Sequence, residues 1–209
     1  MDDRLRPLWD FDDLDATEER FRAQLEAEST ADGRAEVLTQ LARIHGLRGD
    51  FERGDALVDE AEALATGGVA RARAELERGR LRRSSGDDDG ARTLFEAAFD
   101  HARVEQQYFV AADAAHMAAL VAPDRDGFVA WTDCGVELAE THTGATYWLG
   151  PLLNNLGWEY YEAGDFALAL DAFERTLVAR ERDPADATGI ALAREAVGTA
   201  LEALGAAER

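Results

Sequence analysis

The chain has 209 residues, 46% hydrophobic and 31% charged, which is enough apolar surface for a packed core and argues against disorder. Asp and Glu number 43 against 22 basic residues, every one an arginine, and the net charge of −21 disfavours nucleic acid and anionic membrane surfaces as partners. The lone Cys134 excludes an internal disulfide, no basic-then-apolar leader opens the chain, and no apolar run approaches the ~20 residues that span a bilayer, so a cytoplasmic protein is expected. The missing lysine fits either a GC-rich genome or a salt-rich cytoplasm. Residues 1–30 read as a lead-in. Its run from Arg6 to Phe11 is extended and should lay Trp9 and Phe11 on the first helices. A helix from about Ala16 or Glu18 to Glu28 follows, capped by Asp15 because Glu18 sits three residues on.

From 31 to 209 the pattern is helix after helix, without alternating β-branched runs. Val37, Leu38, Leu41, Ile44 and Leu47 recur at helical spacing, as do Leu57, Val58, Ala61 and Leu64 after the Gly49-Asp50 break. Further pairs are predicted at about 69–84 and 90–104, 107–122 and 127–140, and 145–163 and 166–181. A last helix covers about 186–204. Pro123 and Pro184 stop two of these.

A Gly-Asp-Phe phrase or its variant punctuates the chain at Gly49, Gly86, Gly127 and Gly164, with an echo at Gly205, in steps of 37, 41, 37 and 41 residues. Such a period marks a stacked array, each unit burying its apolar face against its neighbours. Seven residues before the turn glycine sits Ala42, Gly79, Gly157 or Gly198; five after it sits Gly54, Ala91, Thr132 or Ala169; four further come Val58, Phe95, Val136 and Phe173. The small residues let two helices of a pair cross closely, and the larger one is expected to fill the gap toward the next pair. The third unit keeps this spacing poorly, so a lengthened turn is expected between Ala118 and Gly127.

With these residues the chain resembles the tetratricopeptide repeat. Leu153–Thr176 carries Leu156-Gly157, Tyr160, Gly164-Asp165-Phe166, Ala169 and Phe173 in that family's order. The resemblance implies an all-α, right-handed solenoid of about four helix pairs with a C-terminal capping helix. It also implies a non-enzymatic scaffold that binds a protein or peptide in the groove lined by the first helix of each pair. The family's orientation would point Gln40 and Arg43, Glu77 and Arg80 with Arg73 and Arg83, Asp113 and His116, and Asn154, Asn155, Trp158 and Tyr161 into that groove.

Two features of this wall carry chemistry. One helix holds Arg71, Arg73, Arg78, Arg80, Arg82 and Arg83, whose forks suit an acidic or C-terminal peptide segment; the alternative is that they pair with Glu75, Glu77 and the acidic outer helices. Asn154, Asn155, Trp158 and Tyr161 suit an extended backbone, or else Trp158 and Tyr161 cover the next repeat. A rival reading is a small-ligand or metal-dependent hydrolytic site on Asp113, His116, Glu77 and Arg80. A metal there would need a third ligand such as His101, Cys134 or His142, and no HExxH or CxxC spacing supports one. No cofactor is expected. A third reading is self-association through the last helix, whose Leu192, Val197 and Leu201 have no following partner in the chain.

Overall fold

A computed structural model describes residues 3–184 and 186–207. Among them all regular structure is helical: α1 (Leu14–Ala27), α2 (Ala31–Leu47), α3 (Phe51–Leu64), α4 (Gly68–Ser84), α5 (Asp88–Val104), α6 (Tyr108–Ala119), α7 (Arg125–Thr141), α8 (Leu149–Glu162), α9 (Phe166–Arg180) and α10 (Ala187–Ala207). Short 3-10 helices cover Arg6–Leu8 and Thr143–Trp148. No helix among the described residues is long and apolar enough to cross a membrane.

At least half of the helix starts carry a side-chain cap, which satisfies an N–H group that has no partner inside the first turn. Asp13, Thr30, Asp50, Asp87 and Asp124 accept from the backbone N–H of Ala16, Gly33, Arg53, Gly90 and Gly127. The first cap is therefore Asp13, not the expected Asp15. An earlier start brings Asp15 into the first turn, where it pairs with Arg48 at 2.5 Å.

Gly49, Gly86 and Gly164 have φ of 77°, 86° and 81°, the left-handed conformation that ends a helix and favours glycine. Gly127 and Gly205 do not close helices. Gly127 lies in the first turn of α7, after a turn at 120–124 that contains Pro123, and Gly205 lies within α10. The lengthened third turn is thus present, while the even glycine period fails at two of its five places. Before Gly127 the helix stop is supplied by Pro123, and at Gly205 α10 runs on through Ala207.

Each helix packs on its neighbours in the chain, α2 also lies against α4, and α4 touches α6. The 3-10 helix at 143–148 wedges between α6, α7 and α8. The core is correspondingly serial. One cluster joins Leu5, Trp9 and Phe21 to Leu41, Ile44 and Val58; a second centres on Leu76, Phe95 and Phe99; a third on Trp148, Leu149 and Leu152; the last on Ala169, Phe173 and Ala196.

The small crossing residues do part of what their spacing implies. A Cβ at Gly79 would overlap the ring of Phe95, and one at Gly157 the ring of Phe173. Phe95 and Phe173 therefore sit on the bare backbone of their own pair, and each also belongs to a core cluster that reaches the next helix, Phe95 with Val110 and Ala111 of α6 and Phe173 with Ala196 and Ala200 of α10. The reason is steric: a ring lying flat on a helix needs the space a Cβ would take. Gly198, at the matching place in α10, has nothing within 4 Å.

Candidate functional site

On α4, Arg73, Glu77 and Arg80 are spaced by four and three residues and so share one helical face. That face meets Gln40 and Arg43 of α2 and Asp113 of α6. The Arg80 guanidinium forms ion pairs with both Glu77 and Asp113, and Arg43 Nη1 lies 3.8 Å from Asp113 Oδ2. Two cations and two anions thus form a neutral centre, with Glu77 only 2% exposed and Asp113 4%. Burial raises the Glu77 carboxyl pKa, with Arg80 and Arg43 opposing. Burial lowers that of Arg43. For Arg80 burial also works against the charge, but Asp113 and Glu77 outweigh it and hold the guanidinium above its ordinary value.

His116 adjoins this centre. Burial pushes its imidazole down to about 4, Asp113 opposing and Arg80, Arg43 and Arg83 assisting, so the ring is neutral near pH 7. Asn155 Nδ2 of α8 donates to His116 Nε2 at 3.0 Å, which places the ring proton on Nδ1, an atom with no protein partner. The ring lies 5.4 Å from that of Trp148.

The structure therefore brings Arg43, Glu77, Arg80, Asp113, His116 and Asn155 together. It does not leave them lining an open wall. Gln40, Arg73, Glu77 and Asp113 were expected to face a solvent-filled groove; all four are buried, because residues 3–11 lie across them. Trp9 Nε1 donates to Gln40 Oε1 at 2.9 Å, Arg73 Nη2 pairs with Asp3 Oδ1 at 2.9 Å, and the Arg43 guanidinium stands 5.3 Å from the Trp9 ring and 5.5 Å from that of Phe11. Sequence reasoning laid Trp9 and Phe11 on the first helices, as found, but missed that the segment reaches α4 and, through Arg6 at 4.7 Å from the Tyr147 ring, the 3-10 helix before α8.

The arginine stripe divides. Arg78 turns to the outer helix α3 and pairs with Asp55, Asp59 and Glu62 at 3.0, 2.5 and 3.0 Å, which is the pairing alternative. Arg83 is exposed and has no ion-pair partner among the described residues. It lines an open cleft of about 220 Å3 between α2, α4 and α6, together with Arg43, Arg80, Leu47, Leu81 and Met117.

The aromatic patch divides as well. Tyr161 packs on the last core cluster, as the covering alternative has it. Trp158 meets Phe173 and Tyr161 edge-on at 5.0 and 5.5 Å yet stays 38% exposed, and Asn154 is half-buried. None of these three bonds to the ionic centre. The residues considered as further metal ligands are elsewhere: His101 pairs with Glu75 at 2.8 Å, His142 stacks on Tyr108, and Cys134 is half-buried in α7, where burial raises its thiol pKa. Among the described residues no three His, Cys, Asp or Glu side chains converge to hold a metal.

No protein-family model matches the chain, and no curated protein matches it. Among solved structures, the crystal structure of BtubC (BKLC) from P. vanneervenii aligns with a TM-score of 0.70 at 19% identity, over 98% of this chain and 85% of that one. The two chains share a fold. At that identity the likeness says nothing about ligands.

Proposed function

We propose that this protein is a non-enzymatic scaffold, a right-handed solenoid of tetratricopeptide-like helix pairs that binds a protein or peptide along its even-numbered helices. The observation that carries the reading is the cleft beside the ionic centre. Its rim holds Arg83 with no carboxylate partner in a chain of net charge −21, and its sides hold Leu47, 54% exposed, with Leu81 and Met117. An unpaired guanidinium next to apolar side chains suits an acidic or C-terminal segment with an apolar neighbour. Trp158, exposed further along the same layer, extends the surface.

Arg80 is the wrong residue with which to test this, because its loss removes the nearest partner of two buried carboxylates. Arg83→Glu and Trp158→Ala alter exposed side chains instead. Each variant is checked for helicity by circular dichroism and compared with the unaltered protein for binding partners captured by cross-linking in lysate. Loss of a partner from the folded variants is the expected result, and identical partner profiles would overturn the reading.

Self-association through α10 is the second reading. Gly198 has nothing within 4 Å and Leu201 is 51% exposed, so this helix presents the kind of seat that a phenylalanine ring fills in two earlier pairs. Sedimentation over a hundredfold concentration range should then show a dimer; a monomer throughout removes the reading.

A further inference from the structure

Residues 3–11 occupy the part of the inner layer on which a scaffold of this kind would seat a foreign segment. We infer that they are a strap acting as a built-in ligand, and that the partner displacing it is a protein segment of the same chemistry: a carboxylate, an arginine three residues on and an aromatic six residues on. This rests on the groove-binding reading and names what one half of the groove recognises.

The contacts that hold the strap to α2 and α4 are side-chain contacts, as in recognition of an outside segment. Asp3 reaches Arg73, with both side chains nearly buried, and Trp9 reaches Gln40. Arg6 lies over Tyr147, and Arg4 pairs with Glu28 at 2.5 Å and Glu36 at 3.5 Å. The strap's own backbone bonds are local, Leu8 N–H to Leu5 O and Trp9 N–H to Arg6 O, or run to α1 through Thr17 and Arg20. It therefore rests on the inner layer without being woven into it.

The fit is also incomplete. Between the strap and the inner helices lies a void of about 30 Å3, lined by Asp3, Arg6, Trp9, Gln40 and Glu77 among others, which is room for one water. Glu77 is 2% exposed, yet its Oε2 has no donor. The strap gives this oxygen no donor, which leaves it to a water in the void. A foreign segment that adds an N–H donor at this point would make a bond that the strap does not. Leu5, 1% exposed, and Trp9, 9% exposed, hold the strap down in the meantime.

The test uses full-length protein and a fluorescent peptide with the sequence of residues 3–11, read by anisotropy. In one variant Asp3→Ala, Leu5→Ser and Arg6→Ala loosen the strap, so that only Trp9 remains to compete with the peptide's tryptophan; a second adds Trp9→Ala and vacates that seat. The loosened variant should bind the peptide at least tenfold more tightly than the unaltered protein. Adding Arg73→Gln, or replacing the peptide's aspartate with alanine, should remove most of that gain. Equal affinity for the unaltered and loosened proteins, or no binding to a loosened protein that retains its helicity, overturns the inference. If the Trp9→Ala protein does not fold, the three-residue variant decides alone. Failure here leaves the Arg83 and Trp158 experiment untouched, so the two readings fall separately.

Discussion

The even-numbered helices change character along the chain. In α2, α4 and α6 most facing side chains are charged and mutually paired, and Gln40, Arg73, Glu77 and Asp113 lie under residues 3–11, with Arg83 left at the edge of the open cleft. In α8 and α10 the corresponding positions hold amides, aromatics and glycine, and Trp158 and Gly198 remain uncovered among the described residues. One helix-pair construction thus serves two ends. Its first half uses most of its polar residues to cross-link three helices, whereas in its second half only Asn155 makes such a bond and Trp158 stays exposed.

The largest expected effect would break this contrast directly. Arg80→Ala leaves Glu77 without its ion pair and Asp113 with only Arg43 at 3.8 Å, both carboxyls nearly buried, and should cost about 3–5 kcal/mol in urea unfolding, because a buried charge that loses its partner does not regain water. Arg83→Ala, three residues on but exposed and unpaired, should change stability by less than about 0.5 kcal/mol. Equal effects at the two arginines would mean that the buried pairing holds α4 no more firmly than an exposed, unpaired side chain does.

The next effect sharpens the contrast through pH. His116 has a folded pKa of about 4, below the ~6.5 of an unfolded chain, so its contribution is fully present above pH 6.5 and is lost as pH falls toward 4. The shift corresponds to at most about 3 kcal/mol. Glu77, whose carboxyl is raised, works in the opposite direction in acid, so the readout is a difference. The stability of His116→Gln should rise relative to the unaltered protein as pH drops from 7 to 4.5. A flat difference over that range would mean that the ring is free to take up a proton, and that the seal formed by Asn155 and Trp148 is loose.

How much of this was legible in the sequence depends on the range of the contact. Helix existence was, because the apolar spacing in runs such as Val37 to Leu47 is local, and so was the close crossing at Gly79 and Gly157. The cap of α1 was misplaced by two residues because Asp13 and Asp15 both precede the first apolar turn, and spacing alone does not choose between them. Helical arithmetic grouped Arg43, Glu77, Arg80, Asp113, His116 and Asn155 on one layer, and they do meet. Their burial was not legible. It depends on Asp3 meeting Arg73 across 70 residues of sequence and on Trp9 meeting Gln40 across 31, and no period encodes those encounters. The division of the arginines was hidden for the same reason. Arg78 and Arg80 are two residues apart, about 200° around the helix, so one turns to the acidic α3 and the other to α6.

The smallest effect separates the two ends of the array at a single residue type. Gly79, Gly157 and Gly198 hold the same place in the sequence pattern, and alanine is the better helix former at any of them by up to about 1 kcal/mol. At Gly157 the added methyl meets the ring of Phe173, which is fully buried and has no room to swing, so overpacking should outweigh propensity and leave a net loss of about 1–2 kcal/mol. Gly79→Ala, under Phe95, should behave alike. Gly198→Ala meets nothing and should gain about 0.5–1 kcal/mol. Phe173→Leu placed with Gly157→Ala should recover part of the loss, since a smaller side chain yields the space. The sign at Gly198 also bears on self-association. If the gain appears in dilute protein and turns into a loss as concentration rises, the methyl is entering a seat that another copy already fills. A gain independent of concentration means that the seat is empty in solution.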